Sequence, residues 1–239
     1  MSTLSEELLK PLRRFQPADD ALYIRVDPKE MPEAVRGLLV HSGDMTSRLE
    51  SFHKNAISLK VCQTLGPSDH EEGAYSREVM LINSSSGEAV EYGAIEIFLD
   101  VFTPALRALI IEGRVPLGGL LNRHGVRYKS EPQAYFRVKG THLSALLGVS
   151  VEEVLFGRCN VLHTESGELL ARIVEVLPPL PSDSGRATFF SQKKSSDSVA
   201  TDDKTKESTA FPFLSMGSEE MVAKPPQGPG VGPDAVEIG

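Results

Sequence analysis

The stretch Leu169-Leu170-Ala171-Arg172-Ile173-Val174-Glu175-Val176-Leu177 has the apolar composition of a buried β-strand. Alternate side chains of a strand point to the same face, so Glu175 shares its face with four apolar residues: Leu169, Ala171, Ile173 and Leu177. A carboxylate in an apolar row destabilises the fold unless it is paired with a cation or stays protonated. Glu175 is therefore a candidate acid, base or ligand anchor, or else a structural glutamate paired with an arginine elsewhere in the core.

The residues before this strand predict further strands and several helices. Residues 57–61 alternate strictly between apolar and polar, and the polar, glycine-containing segment 83–88 is typical of a hairpin connection. Thr103 and Pro104 are typical of a helix start, and Gly113 of a helix end. The predicted helices span residues 2–14, 38–52, 104–112 and 116–122, with one or two more in 141–155. The predicted strands span residues 57–61, 75–82, 89–99, 126–138, 157–163 and 169–177. Because strands follow one another with few helices between them, the pattern predicts an α+β fold on an antiparallel sheet.

The composition is that of an ordinary soluble globular chain, with 40% hydrophobic and 24% charged residues. The net charge of -8 argues against a general nucleic-acid-binding protein, which usually carries a basic face. No apolar run approaches the ~20 residues of a membrane-spanning helix, and the N-terminus lacks the features of a secretory signal. Cys62 and Cys159 are far apart and are expected to be reduced. We therefore expect a cytoplasmic protein without nucleic-acid or membrane partners.

The chain changes character after Pro181. Residues 182–239 are rich in Ser, Thr, Asp, Lys, Pro and Gly. Such a segment cannot bury enough apolar surface to offset the entropy lost on ordering, and we expect a disordered polar tail. Its apolar island at residues 210–214 is either a docking motif or incidental. The main domain is then expected at residues 38–181, after an N-terminal helical extension at residues 1–37 that is too short for a DNA-binding winged helix.

Standard cofactor-binding and nucleophile motifs are missing from the sequence. Phosphate-loop, dinucleotide-binding and nucleophile-elbow patterns do not occur. The six histidines are scattered without metal-binding spacing, and neither cysteine lies beside an obvious base in the sequence. We therefore expect no cofactor and no metal.

Arg77 is the second residue whose position is unusual. In the predicted strand 75–82 it shares a face with Tyr75, Val79 and Leu81. A guanidinium remains charged in a protein, so a buried one needs an anion nearby. Its partner is either Glu175, in a buried ion pair, or the carboxylate of a small ligand held by two parallel hydrogen bonds.

Four segments, taken in order, resemble chorismate pyruvate-lyase and its relatives. They are His41–Glu50 (HSGDMTSRLE), Ser76–Val79 (SREV), Val115–Gly118 (VPLG) and Val174–Pro178 (VEVLP). The resemblance implies one α+β domain in which helices and an antiparallel sheet enclose an internal pocket. Effector-binding domains of some bacterial transcription regulators share that fold, so a pocket without catalysis is an alternative. Residues 127–155 form an insert relative to the compact bacterial enzymes.

The resemblance also implies a role for each matched residue. Arg77 would grip a ring carboxylate, and the backbone N–H of Leu117 would assist it. Gly118 would allow close approach, and Met45 would lie against the ring. Glu175 would be the catalytic group, near the ring carbon whose ether bond is broken.

The function implied is a cofactor-independent carbon–oxygen lyase of biosynthesis or secondary metabolism. It would eliminate pyruvate from chorismate to give 4-hydroxybenzoate, or act on a related carboxylated substrate. The alternatives are a cyclase or isomerase of specialised metabolism that uses the same pocket, and a non-catalytic small-molecule-binding module.

Overall fold

A computed structural model of the chain describes residues 2–16, 19, 22–66, 74–139 and 141–180. The α-helices of this part are α1 (Glu6–Arg13), α2 (Glu33–Leu39), α3 (Met45–His53), α4 (Pro104–Glu112), α5 (Leu117–Arg123) and α6 (His142–Leu146). The strands are β1 (Ile24–Arg25), β2 (Ile57–Leu65), β3 (Tyr75–Asn83), β4 (Ala89–Ile97), β5 (Tyr128–Lys139), β6 (Val154–Thr164) and β7 (Leu169–Leu177). The predicted tail at residues 182–239 lies outside the described residues.

The strands form one seven-stranded sheet in the order β1-β5-β6-β7-β4-β3-β2, and every pairing is antiparallel. Strands β2, β3 and β4 form one meander, and β5, β6 and β7 form another. The two meanders join where β7 pairs with β4, which places Glu175 opposite Gly93. On its other side Glu175 lies opposite Arg158 of β6. The predicted α+β class and antiparallel sheet are confirmed.

Helices cover both faces of the sheet because the strands carry apolar residues on both sides. On one face, α1 and α6 pack through Leu9, Leu12 and Leu143 against residues such as Tyr92 and Val176. The opposite face is formed by the odd-numbered residues of β3, β4 and β7 and the even-numbered residues of β6, and we call it the cavity face. Helices α2 and α3 pack at one end of this face, and α4 and α5 at the other.

The helix ends agree with the capping residues in the sequence, with one correction. Thr103 caps α4 by accepting a hydrogen bond from the Leu106 N–H at 3.4 Å, and Gly113 ends the helix with φ of 69°. The single helix predicted at 38–52 is wrong, because α2 ends at Leu39 and α3 begins at Met45. Asp44 explains the break, since its side chain caps α3 by accepting from the Ser47 N–H at 2.8 Å.

The N-terminal residues take part in the same sheet. Strand β1 pairs with β5, and α1 packs on β4 and β7. Helix α2 begins before residue 37 and ends after it. None of the described helices combines the length and the hydropathy that crossing a membrane requires.

Candidate functional site

A cavity lies between the cavity face and helices α3 and α5, with about 630 Å³ of empty space including its open mouth. All five residues predicted as a site line it, namely Met45, Arg77, Leu117, Gly118 and Glu175. Much of the remaining wall is apolar: Leu59, Val79, Leu81, Ile95, Leu162 and Ile173. A concave apolar wall with a few polar groups is typical of a small-molecule site.

Arg77 is buried in the wall of this cavity, with only 2% of its surface exposed. Its Nη1 donates to the Ile110 carbonyl at 3.5 Å and its Nη2 to the Val115 carbonyl at 3.4 Å. The Ile110 carbonyl belongs to the last turn of α4, where the helix dipole favours a cation. The Nε has no hydrogen-bond partner among the described residues. Burial lowers the pKa of the guanidinium.

Glu175 is paired with Arg158, not with Arg77. Arg158 Nε donates to Glu175 Oε2, and both side chains are almost completely buried. The Nη1 of Arg158 also donates to the Leu39 carbonyl at 2.9 Å and the His41 carbonyl at 3.1 Å. Burial alone would lower the pKa of Arg158, but the charge and hydrogen bond of Glu175 raise it. The pair therefore ties the end of α2 and the segment leading to α3 onto the sheet.

Glu91 is a fourth buried ionisable group in the wall, 3% exposed and two residues from Gly93 on the same face. Burial, and then the nearby charge of Glu175, raise its pKa well above the ordinary value, although Arg158 acts in the opposite direction. Its Oε2 has no hydrogen-bond partner among the described residues. Gly93, directly opposite Glu175, places no side chain between the two carboxyl groups.

The other buried glutamates in the described part of the chain have partners. Glu78 accepts from the Tyr92 hydroxyl at 2.9 Å and from the Gln16 amide at 3.0 Å. Glu96 accepts from Arg14 at 2.9 Å and from Arg172 at 3.4 Å. Among the buried glutamates of the described residues, Glu91 therefore differs in having no hydrogen bond or ion pair to another side chain.

The remaining predicted residues lie at helix starts. Met45 is the first residue of α3, and Leu117 is the first residue of α5. A Cβ atom at Gly118 would lie 2.9 Å from the Cβ of Asp44. In this structure the glycine thus permits close approach of α5 to the N-terminal end of α3.

Glu91 and Arg158 were not predicted as site residues, although the sequence contains a signal for both. Glu91 shares a face with Gly93 and Ile95 in the predicted strand 89–99, and Arg158 shares one with Leu162. Each is a charged residue that shares a strand face with apolar residues, which is the criterion that identified Glu175 and Arg77. Applied to every strand, the same criterion would have found all four.

No protein-family model matches this chain, and no curated protein matches it. Solved structures do. PhnF from Mycobacterium smegmatis is 12% identical, with a TM-score of 0.46 over 58% of this chain and 64% of that one. The effector domain of PhnF is 13% identical, with a TM-score of 0.43 over 56% of this chain and 88% of that one. The ligand-binding domain of a putative GntR-family transcriptional regulator from Bordetella bronchiseptica is 14% identical, with a TM-score of 0.38 over 51% and 85%. This chain spans under two thirds of the full PhnF.

The expectation of a carbon–oxygen lyase, with a cyclase or isomerase in second place, is contradicted. The structures named above are a regulator's effector domain, the full PhnF and a regulator's ligand-binding domain, and none of these three is named as a lyase. Chorismate as the substrate, with pyruvate and 4-hydroxybenzoate as the products, is likewise not supported by these comparisons. Glu175, expected as the catalytic group, already binds a buried arginine.

Proposed function

We propose that this chain is a non-catalytic small-molecule-binding domain whose cavity binds an organic carboxylate through Arg77. One observation carries the proposal: a permanently charged side chain lies buried in a cavity wall, and no carboxylate of a described residue lies within ion-pair distance. An isolated buried charge is unfavourable. A ligand carboxylate would compensate it and would offer acceptors to the unbonded Nε.

The rest of the cavity suits a ligand with one anionic end. Leu117 begins α5, so its N–H has no partner within the helix and is free to support the carboxylate. Met45 and the other apolar wall residues would pack against the ligand body. The Arg158–Glu175 pair would not contact the ligand carboxylate. Its role would be to hold the segment that leads to Met45 in place. The proposal rests on Arg77, and not on the similarity to an effector domain and a ligand-binding domain.

Titration calorimetry with benzoate, phenylacetate and cyclohexanecarboxylate, each compared with its neutral amide, tests this proposal. We expect at least one carboxylate to bind and its amide to bind much more weakly. Arg77→Met should weaken carboxylate binding roughly 10- to 150-fold, the range for a charge-assisted hydrogen bond. Arg114→Met is the matched control, because it removes the same charge from a side chain that is 79% exposed.

Two results would contradict the proposal. One is the failure of every carboxylate in the panel to bind. The other is equal affinity in the wild-type protein and the Arg77→Met variant.

A further inference from the structure

The carboxyl group of Glu91 lies in the same cavity as Arg77 but at a different end. Arg77 lies opposite Ile95 on β4, and Glu91 is four residues from Ile95 on the same face. With ~3.4 Å per residue along a strand and ~4.8 Å between strands, the two Cα atoms are roughly 14 Å apart. The cavity therefore has a cationic end and a second polar end, with apolar wall between them.

The second polar end contains three ionisable side chains, Glu91, Glu175 and Arg158. Arg158 gives its Nε to Glu175 and its Nη1 to backbone carbonyls. Two carboxyl groups thus share one cation, and that cation is bonded to Glu175. Ionising Glu91 as well would place a second negative charge beside the first in a buried site. Burial, and then the charge of Glu175, raise the pKa of Glu91 and so favour its neutral carboxyl, which is a hydrogen-bond donor as well as an acceptor.

We infer that Glu91 donates a hydrogen bond to a carbonyl or ether oxygen at the ligand end opposite the carboxylate. This inference rests on the proposed function and deepens it, because it defines the ligand as a carboxylate with an accepting oxygen at its far end. The Glu91 side chain is almost fully buried, lines the cavity and has an oxygen without a partner. A ligand oxygen would supply the missing partner without introducing a further charge.

A ligand ammonium group fits this end less well. It would require Glu91 to ionise beside Glu175, and it would bring a second cation close to Arg158. A neutral accepting oxygen brings no further charge to this end of the cavity. The two ligand classes differ in proton release, since an ammonium would displace the Glu91 proton and a carbonyl would not.

The test compares 4-acetylbenzoate with 4-isopropylbenzoate, two probes of nearly equal shape that differ in one accepting oxygen. The wild-type protein should bind the acetyl probe roughly 3- to 10-fold more tightly, as expected for one neutral hydrogen bond. Glu91→Gln should keep this preference because its amide still donates, and Glu91→Met should abolish it. Calorimetry in buffers of different ionisation enthalpy should show no proton release.

The possible failures are distinguishable. If neither probe binds, or if Arg77→Met binds both as well as the wild type, the carboxylate proposal fails and the Glu91 inference with it. If both bind through Arg77 with equal affinity, the Glu91 inference alone is wrong. Tighter binding of 4-(aminomethyl)benzoate with release of a proton would also overturn it, in favour of an ammonium ligand.

Discussion

Arg77 and Arg158 are both buried on the cavity face, and each donates to a backbone carbonyl at the C-terminal end of a helix. Arg77 does so at α4 and Arg158 at α2. They differ in their anions, because Arg158 is bonded to Glu175 and Arg77 has no carboxylate partner among the described residues. An arginine is therefore paired with a carboxylate of the protein at one position, and at the other it is the residue that we propose to bind a ligand carboxylate.

Arg77→Met should leave the free energy of unfolding unchanged or raise it. The substitution removes a buried charge and an unbonded Nε, and it gives up only two long hydrogen bonds, of 3.5 and 3.4 Å. Apolar replacement of buried ionic groups is often neutral or stabilising. Urea denaturation measures the change. A clear loss of stability would show that Arg77 serves mainly to complete the end of α4.

Arg158→Met should have the opposite effect. It leaves Glu175 buried without its cation and removes the bonds to the Leu39 and His41 carbonyls. We expect a loss of about 3–5 kcal/mol in the free energy of unfolding, the usual result of removing one partner of a buried pair. Replacing both members, as Arg158→Met with Glu175→Leu, should restore part of that loss. If the double variant is no more stable than the single one, the pair does not have the role assigned to it.

Glu91→Gln should change how stability depends on pH. Burial, followed by the charge of Glu175, raises the pKa of Glu91 in the folded protein above the value of 4.5 that applies when it is unfolded. Above pH 4.5 the unfolded chain releases a proton that the folded chain keeps, so this group lowers stability as pH rises towards its folded pKa. The glutamine has no such titration.

The stability advantage of Glu91→Gln should therefore be smallest below pH 4.5 and grow as the pH rises above it towards the raised folded pKa, by up to about 1.4 kcal/mol per pH unit. Urea denaturation of both proteins across this range measures it. Glu165→Gln is the control, since Glu165 is half exposed and pairs with a largely exposed arginine. Parallel pH profiles for wild type and Glu91→Gln would contradict the assignment.

Replacing each of two glycines by alanine should change the stability of the protein in opposite directions. A Cβ atom at Gly157 would lie 2.5 Å from a ring carbon of Phe136 and would clash with the Glu175 carbonyl. We expect Gly157→Ala to destabilise the protein by about 1–3 kcal/mol, as overpacking does. Gly37 lies in α2 with no atom within 4 Å of such a Cβ, and Gly37→Ala should stabilise it by about 0.5–1 kcal/mol. Thermal denaturation of both variants measures the difference.

The sequence predicted local structure well because alternation and capping act over a few residues. The cap at Thr103, the end at Gly113 and the strand that carries Glu175 could all be read directly. The ion-pair partner of Glu175 could not be predicted from the sequence, because it depends on which strand lies beside β7. Arg77 was the partner that the sequence suggested, but the sheet order places β6 with Arg158, and not β3 with Arg77, next to that strand.

The position of β7 also has a consequence for the order of folding. Each meander pairs strands that are close in sequence, whereas β4 and β7 are far apart in sequence. Ile95 of β4, for example, pairs with Ile173 of β7. Long-range pairing of this kind loses much chain entropy before it gains contacts, so it is expected to form slowly. β7 is also the last of the described strands to be synthesised. We therefore expect the cavity face to be completed only after residue 177 has been made, and a chain interrupted before that residue to expose the inner edges of both meanders.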